Sequence, residues 1–271
     1  MRYVKQVLDF YIGSSIHVAL SVYALVRMTG FLFGISEIQA CAYFAFFGTI
    51  SAYNFVKYDA LVRTQKKRVS SSLKAIALLS LVSFLGAVFY FLQLAQITKI
   101  IAVVFLILTL LYTLPFFPNA KNARNWAGVK IYIVAVCWVG VTLFLPIINA
   151  GLSFSTEVFI VGVQRFILIF VLILIFEIID LKEDDPHLQT VPQQIGVSRT
   201  KKLGLFLMLF FIGLEFLFVH FNPTVFVLKT GIAVTVMLFL LLANEQRSKY
   251  YSAFWVESIP IVWMILLLSL G

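Results

Sequence analysis

Charged residues are scarce in this chain. Of its 271 residues, 12% are Asp, Glu, Lys or Arg and 62% are hydrophobic, with a mean hydropathy of +1.01. Soluble globular domains contain about 25% charged and about 45–50% apolar residues. The composition therefore excludes a water-soluble enzyme and predicts an integral membrane protein.

Cysteine is scarce as well. The chain has two cysteines, Cys41 and Cys137, and both lie inside apolar segments. A disulfide framework or a cysteine-based metal site needs more cysteines at closer spacings. The sequence therefore excludes a small fold held together by disulfides, and it offers no cysteine ligand cluster.

Nine long apolar runs make up most of the sequence. Because a membrane-spanning helix needs about 20 apolar residues, each run is long enough to span a bilayer. The runs are continuously apolar instead of alternating, which excludes the strands of a membrane barrel. We predict an all-α integral membrane protein with nine transmembrane helices in a single domain over residues 1–271. The runs are Val7–Thr29, Ile38–Val56, Ala75–Leu94, Ile100–Phe117, Val129–Asn149, Val158–Ile179, Leu203–Phe221, Val225–Ala243 and Ala253–Leu270.

The basic residues predict the orientation of these helices. Of the 21 Lys and Arg, 17 lie in the N-terminal tail or in the connections on the same side of the membrane. The positive-inside rule therefore predicts a cytoplasmic N-terminus, and we expect a multi-pass protein of a bacterial inner membrane. This distribution also explains most of the net charge of +9 without a nucleic-acid partner. Two connections on this side, residues 57–74 and 181–202, are long and polar, and such loops often carry binding sites.

The densest acidic cluster lies at the end of the sixth run. Glu177, Asp180 and Asp184 are spaced i, i+3 and i+7, which places them on one face of a helix. Three carboxylates at the edge of a membrane repel one another unless a cation joins them, and oxygen ligands suit Mg²⁺, which commonly bridges to phosphates. The stripe predicts a metal–diphosphate site, and the alternative is a solvated helix end with ordinary surface acids.

A second pattern follows this acidic stripe. Thr190, Pro192 and Gly196 lie in the stretch TVPQQIG, a short spacer after the carboxylates. Together the two patterns resemble the second acidic signature of the UbiA superfamily of intramembrane prenyltransferases, D-x-x-D-x-x-x-D followed by a T-L-P-x-x-L-G-like tail. The resemblance implies a nine-helix UbiA-like bundle that transfers a prenyl group from a prenyl diphosphate to an aromatic or other lipophilic acceptor. It also implies Mg²⁺ as the cofactor, held by the three carboxylates.

The family's first signature, N-D-x-x-D-x-x-x-D, is largely missing at the end of the second run. Asn54 matches, but Phe55, Tyr58 and Val62 occupy the acid positions. Asp59 lies one residue out of register, about 100° round the helix from the expected face. The metal ligands that the resemblance implies for this position are therefore absent.

The basic segment that follows, RTQKKR from Arg63 to Arg68, resembles the family segment that faces the diphosphate. A third signature, Tyr-x-x-x-Lys, is half present, since Tyr112 matches and Phe116 stands at the lysine position, with Lys121, Arg124 and Lys130 as the nearest substitutes. We therefore expect a diphosphate site with fewer metal ligands than the family pattern. Its predicted substrate contacts are Asn54, Arg63, Lys67, Arg68, Tyr112 and Lys130.

Two functions from different classes follow. Cleaving the allylic C–O bond of a prenyl diphosphate requires about three negative charges to be neutralised. Either one Mg²⁺ and the six cations of residues 57–74 provide this, or the protein binds an isoprenoid or lipid diphosphate without cleaving it. A transporter is a third alternative, but the runs show no pair of Gly- or Pro-interrupted helices at matched positions.

The predicted helices contain ionisable residues, among them His17, Arg165 and Glu215. Such residues are candidates for function by default. We expect His17 to make a hydrogen bond within the bundle, with a substrate contact as the alternative. Arg165 and Glu215 lie near the outer, non-cytoplasmic ends of their predicted helices. We expect them to reach the membrane surface or to pair with each other.

Overall fold

The chain is all-helical in its described parts. The computed structural model describes residues 2–64, 71–113, 128–184, 188–219 and 221–269, and these contain helices and no strand. The helices are α1 (Arg2–Gly13), α2 (Ile16–Leu32), α3 (Gln39–Thr64), α4 (Ser71–Gln93), α5 (Gln96–Thr113), α6 (Lys130–Val139), α7 (Leu145–Asn149), α8 (Thr156–Ile179), α9 (Val191–Ile195), α10 (Val197–Gly213), α11 (Pro223–Leu242) and α12 (Ile259–Ser269). Two π-helical segments, Gly140–Phe144 and Tyr251–Val256, precede α7 and α12, and 3₁₀ turns follow α8 and α10.

The helices have the length and composition of membrane spans. Within the described residues, five continuous helical segments are long and apolar enough to cross a bilayer, and the bent pair α1–α2 raises the number to six. A helix lies over each of the nine apolar runs. The protein is thus an integral, multi-pass membrane protein, while nine spans and a cytoplasmic N-terminus stay predictions.

Helix α8 forms the centre of the bundle. Apart from Gln164 and Arg165, its central turns are apolar on every side, as expected for a helix that other helices surround. It contacts α6, α10 and α11. In the largest core cluster, Leu168 and Ile175 of α8 are packed with Met208 of α10, Val236 of α11 and Trp263 of α12. This burial places the acidic C-terminal end of α8 among neighbouring helices instead of at the edge of the bundle.

The first apolar run forms two helices, so the prediction of one continuous helix was wrong. Ser15 has a φ of 62°, in the left-handed region, and α1 and α2 meet at 56°. The break leaves the carbonyls of Gly13 and Ser14 without helical partners, and side chains of α3 donate to them. Tyr58 Oη lies 2.8 Å from Gly13 O, and Asn54 Nδ2 lies 3.0 Å from Ser14 O. Neighbouring helices must satisfy such groups when a membrane helix is broken.

Glu215 belongs to a buried polar network between α8, α10 and α11. Lys229 Nζ lies 2.6 Å from Glu215 Oε2, and Gln164 Nε2 donates to the same oxygen at 2.9 Å. Lys229 also donates to Gln164 Oε1 at 3.1 Å. Each polar group of the network has a partner, which is the condition for burying an ion pair without a large penalty.

Arg165, next to this network in sequence, has different partners. Its Nη1 atom donates to Thr29 Oγ1 at 2.7 Å and to the carbonyl of Thr142 at 2.8 Å. Thr142 lies in the π-helical segment before α7, where the backbone departs from the α-helical pattern. Arg165 and Glu215 are 3% and 4% exposed. The expectation that they reach the membrane surface or pair with each other was therefore wrong.

Removing one partner of the Lys229–Glu215 ion pair should destabilise the protein more than removing both partners. Lys229→Met leaves the Glu215 charge buried without its partner, so we expect a loss of about 3–5 kcal/mol of stability. Replacing both residues by Met removes both charges and should restore a large part of that loss. Thermal unfolding in detergent micelles checks this, with Lys202→Met, at an exposed position, as the control. A double variant no more stable than Lys229→Met contradicts the expectation.

Candidate functional site

The polar end of the bundle is the end where α3 and α8 finish and α6 begins. An ion pair of 3.4 Å between Lys182 and Glu245 joins the end of α8 to the connection between α11 and α12. In that connection, the hydroxyl of Tyr250 donates to Asp9 of α1. The acidic end of α8 and the N-terminal helix therefore lie at the same end of the molecule.

The three carboxylates of the acidic stripe lie close together at this end. Glu177 is 3% exposed, and its Oε2 atom accepts a hydrogen bond of 3.1 Å from the backbone N–H of Val191. Asp180 and Asp184 are half-buried. Asp184 is near enough to both other carboxylates to interact with them electrostatically. Its Oδ2 atom is buried and has no hydrogen-bond partner among the described residues.

Lys130 lies beside the same carboxylates. It is the first residue of α6 and interacts electrostatically with Glu177 and Asp180. The chain approaches the loop after α8 closely here, because a Cβ atom on Gly128 would lie 2.9 Å from Gln194 Nε2. Gly128 also has a φ of 68°, which favours glycine. The structure thus brings together the predicted metal ligands and one predicted phosphate contact.

The tail of the second signature shapes the loop beside the carboxylates. Thr190 precedes α9, and its N–H donates to Gln193 Oε1 at 2.9 Å. Pro192 occupies the first turn of α9, where a missing N–H has no cost. Gly196, with a φ of 80°, separates α9 from α10. Since Glu177 accepts the first N–H of α9, this short helix is tied to the end of α8.

On α3, the positions of the first signature support the helix break. Asn54 is buried and donates to the backbone of Ser14 and to Ser80 Oγ, at 3.0 and 2.9 Å. Tyr58 donates to the same break, and Phe55 is 43% exposed. Asn54 and Tyr58 thus have a structural use at the helix break. Asn54 Oδ1 stays buried without a partner among the described residues.

The remaining predicted contacts cannot be placed. Arg63 and Tyr112 lie in α3 and α5, but their side chains are outside the described residues, as are those of Asp59 and Val62. Lys67, Arg68 and the region around Phe116, Lys121 and Arg124 also lie outside the described residues. Of the predicted substrate contacts, Asn54 and Lys130 are the two whose surroundings are described.

A hydrogen bond joins α3 to α6 and relates the cations on these two helices. Trp138 Nε1 donates to Tyr53 Oη at 2.9 Å. From this bond toward the polar end, Lys57 is one turn along α3, about 6 Å, and Lys130 is two turns along α6, about 12 Å. Both cations therefore lie on the polar side of the bond, at the end that also holds the carboxylates.

The carboxylate oxygens are ligands of the type that hard cations prefer, but the three carboxylates do not form a complete metal site by themselves. Among the residues that the structure describes, no three His, Cys, Asp or Glu side chains form a group that could hold a metal ion. Mg²⁺ is usually bound by one or two carboxylates together with substrate phosphates and water. The unpartnered Asp184 Oδ2 atom and the neighbouring Asp180 carboxylate match that partial set of ligands.

Sequence reasoning missed several residues between the helix break and the π-helical segment before α12. His17 makes the expected hydrogen bonds within the bundle, to Tyr11 Oη at 2.8 Å and to the carbonyl of Phe254 at 2.9 Å. Glu257 follows the π-helical segment and interacts electrostatically with Lys57 and Tyr11. Tyr11 and Glu257 are far apart in sequence, so no local pattern marked them.

No protein-family model and no curated protein sequence matches this chain. Solved structures do match it. A structure of digeranylgeranylglyceryl phosphate synthase has 16% sequence identity and a TM-score of 0.56, covering 99% of this chain and 97% of that one. A UbiA homologue from Aeropyrum pernix K1 has 14% identity and a TM-score of 0.64, covering 95% and 96%. A Cd²⁺-bound UbiA homologue from Archaeoglobus fulgidus has 13% identity and a TM-score of 0.61, covering 93% and 95%.

The chain has the UbiA fold. The resemblance to the UbiA superfamily, first drawn from the residues around the acidic stripe, is confirmed at the level of the fold. The likeness extends over nearly the whole chain in all three comparisons. At identities of 13–16% it establishes the architecture, so the chemistry must be argued from the residues of this chain.

Tyr58 should contribute to stability through its bond to the helix break. Tyr58→Phe removes the donor to Gly13 O while keeping the ring, so we expect a loss of about 1 kcal/mol. Thermal unfolding measures the effect. Tyr3→Phe, on a side chain that is 83% exposed, is the matched control. Equal unfolding temperatures for the two variants would show that the break does not depend on this hydrogen bond.

Proposed function

We propose that this protein transfers a prenyl group from a prenyl diphosphate to an aromatic or other lipophilic acceptor inside the membrane, with Mg²⁺ as cofactor. The observation that carries the proposal is the unpartnered, buried Asp184 Oδ2 atom in a stripe of three carboxylates beside Lys130. The UbiA fold supports it, since digeranylgeranylglyceryl phosphate synthase is among the similar structures.

Each polar residue of the site has a proposed role. Asp180 and Asp184 would hold Mg²⁺ together with diphosphate oxygens, and Glu177 would complete the set of carboxylates while holding α9 in place. The ion, when bound, supplies positive charge that stabilises the departing diphosphate. Lys130 would bind a phosphate oxygen directly. Arg63, Lys67, Arg68, Asn54 and Tyr112 complete the proposed set of substrate contacts.

The basic residues of this chain would neutralise part of the diphosphate charge. In the family pattern, a metal ion held by a second acidic cluster would neutralise that part. A prenyl diphosphate brings about three negative charges, which must be stabilised as the allylic C–O bond breaks. Lys130, at the start of α6, lies beside Glu177 and Asp180. Its charge would stabilise the leaving diphosphate.

Removing the Asp184 carboxylate tests the proposal. We expect Asp184→Asn to lower turnover of a radiolabelled prenyl diphosphate in membranes by about 100-fold, because a preorganised charge at the reacting group is lost. Asp180→Asn should act in the same direction. Glu183→Gln removes a neighbouring exposed carboxylate and is the matched control, with turnover near that of the wild type. Identical turnover in all four proteins would remove the proposed metal site.

One observation favours a second function, binding of an isoprenoid or lipid diphosphate without cleavage. The described positions of the first signature on α3 carry no carboxylate, and Asn54 and Tyr58 are engaged with the helix break. A prenyl thiodiphosphate analogue separates the two functions. Binding of this analogue without release of pyrophosphate from the true substrate supports the second function, whereas pyrophosphate release that depends on Mg²⁺ and on Asp184 rules it out.

We also propose the membrane arrangement of the site. Residues 1–271 form one domain with nine spans and a cytoplasmic N-terminus, in a bacterial inner membrane. The excess of basic residues on one side supports this orientation, since 17 of the 21 Lys and Arg lie there. The carboxylates then face the cytoplasm, where prenyl diphosphates and Mg²⁺ are available.

A further inference from the structure

A cavity lies at the end of the bundle opposite the polar end, where α2 and α12 finish and α3 begins. Its volume is about 340 Å³, and ligand cavities in proteins are typically about 300–1,000 Å³. Its lining includes Arg27 and Phe31 of α2, Gln39 of α3 and Leu268 of α12. We call it the Arg27 cavity. Helix α3 has 26 residues, so about 39 Å separates its start at this cavity from its finish at the polar end.

The turn between α2 and α3 forms one wall of the Arg27 cavity. Gly34 has a φ of 63°, which suits glycine after a helix end. The N–H of Ile35 donates to Gly30 O at 2.8 Å, and the N–H of Gly34 donates to Phe31 O at 3.5 Å. This pair of hydrogen bonds is a Schellman motif, which closes the end of a helix. The cavity wall is thus held in place by the backbone of the chain itself.

Arg27 is a half-buried cation inside the apolar sequence of α2. Its Nη1 atom donates to Tyr23 Oη at 3.1 Å, and its guanidinium carbon lies 5.9 Å from the centre of the same ring. Among the described residues, no carboxylate forms an ion pair with it. Glu37 is exposed in the adjacent connection and does not line the cavity. Most N–H donors of the guanidinium are therefore left for another partner.

Two other cations inside helices show how this protein satisfies such a charge. Lys229 pairs with Glu215 at 2.6 Å, and Arg165 is buried with hydrogen bonds to Thr29 and Thr142. A charge within a membrane span is costly unless it has such partners. The described neighbours of Arg27 provide one neutral hydroxyl and an aromatic face. An anion from outside the chain would supply the missing charge.

The remaining lining indicates which anion fits. Ser36 and Gln39 line the cavity, and their side chains can donate hydrogen bonds to phosphate oxygens. The start of α3 adds the positive end of a helix dipole. Phe31 and Leu268 are exposed on the outer surface of the bundle and also line the cavity. A phosphate that carries acyl chains matches both parts of this lining, whereas a soluble anion matches only the part near Arg27.

We propose that the Arg27 cavity binds the phosphate of an anionic membrane phospholipid. The guanidinium of Arg27 binds the phosphate oxygens, and the acyl chains lie along Phe31 and Leu268. The site is at the opposite end of the bundle from the carboxylates and does not depend on the proposed function. A lipid bound here contacts α2, α3 and α12 together, so it stabilises the arrangement of these three helices.

Three probes test the site on the purified full-length protein in detergent micelles. Native mass spectrometry should give a dissociation constant for dioleoyl phosphatidylglycerol at least about 10-fold lower than for dioleoylglycerol, which has the same chains and no phosphate. It should also be at least about 10-fold lower than for glycerol 1-phosphate, which has the phosphate and no chains. Equal binding of the phospholipid and dioleoylglycerol overturns the proposal. Equal binding of the phospholipid and glycerol 1-phosphate overturns a lipid as the ligand.

Variants locate the binding, because basic residues at the polar end also attract anionic lipids. Arg27→Gln should raise the dissociation constant of the tightest phosphatidylglycerol site about 10-fold, since a charge-assisted contact is lost. Lys99→Gln, a half-buried cation in the first turns of α5 at the same end, is the matched control and should bind like the wild type. An unchanged constant in Arg27→Gln, or an equal rise in Lys99→Gln, overturns the proposal.

Leu268→Trp tests the cavity without changing Arg27. The larger ring fills part of the cavity, so this variant should also bind phosphatidylglycerol more weakly than the wild type. It decides the question if Arg27→Gln does not fold, because an unchanged dissociation constant in Leu268→Trp overturns the proposal.

Thermal unfolding shows whether the bound lipid stabilises the bundle. Saturating phosphatidylglycerol should raise the unfolding temperature of the wild type and of Lys99→Gln more than that of Arg27→Gln, because a ligand stabilises the folded state that binds it. Equal rises in all three proteins contradict the proposed site.

Discussion

Polar groups buried inside a membrane protein cannot form hydrogen bonds with water, so they need partners within the protein. This constraint determines how the described helices are joined to one another. The carbonyls that the break at Ser15 exposes accept hydrogen bonds from Asn54 and Tyr58. Arg165 is satisfied by a carbonyl in a π-helical segment, and Glu215 by Lys229. Each of these contacts joins residues far apart in sequence. These polar contacts hold the helices in one arrangement, which packing between apolar faces alone would specify less strongly.

Because of the same constraint, a buried oxygen without a hydrogen-bond partner marks a place where a ligand could bind. Among the described residues, the buried carboxylate and amide oxygens without a partner are Asp184 Oδ2 and Asn54 Oδ1. One lies in the acidic stripe beside Lys130, and the other beside the helix break. In the proposed function, a cation with its diphosphate would bind the Asp184 oxygen.

The sequence predicted the helical architecture because the relevant signal is local. Continuous apolar runs indicate spans directly. The i, i+3, i+7 spacing of Glu177, Asp180 and Asp184 predicted one helical face, whereas α8 ends at Ile179 and the 3₁₀ turn Asp180–Lys182 precedes Asp184. The tail at Thr190 and Gly196 was also recognisable, since it encodes a helix start and a turn that favours glycine. These features depend on a few neighbouring residues.

What the sequence did not reveal depends on contacts between distant residues. The run from Val7 to Thr29 gives no hydropathy signal for the break, because Ser15 takes up a left-handed conformation that α3 stabilises. The pairing of Glu215 with Lys229 instead of Arg165 depends on how α10 and α11 are packed. Likewise, the sequence shows only that Tyr58 replaces an expected metal ligand. Its hydrogen bond to Gly13 O, which the structure shows, gives it a structural use instead.

The central claim is that the acidic stripe and Lys130 bind a divalent cation together with a diphosphate. Electron–nuclear double resonance of Mn²⁺, substituted for Mg²⁺ in the purified protein with a prenyl thiodiphosphate, tests it most directly. The account predicts protein-bound Mn²⁺ with phosphorus coupling that is lost in Asp184→Asn and kept in Glu183→Gln. Mn²⁺ that stays fully hydrated in the presence of the protein, or phosphorus coupling that is unchanged in Asp184→Asn, would contradict it.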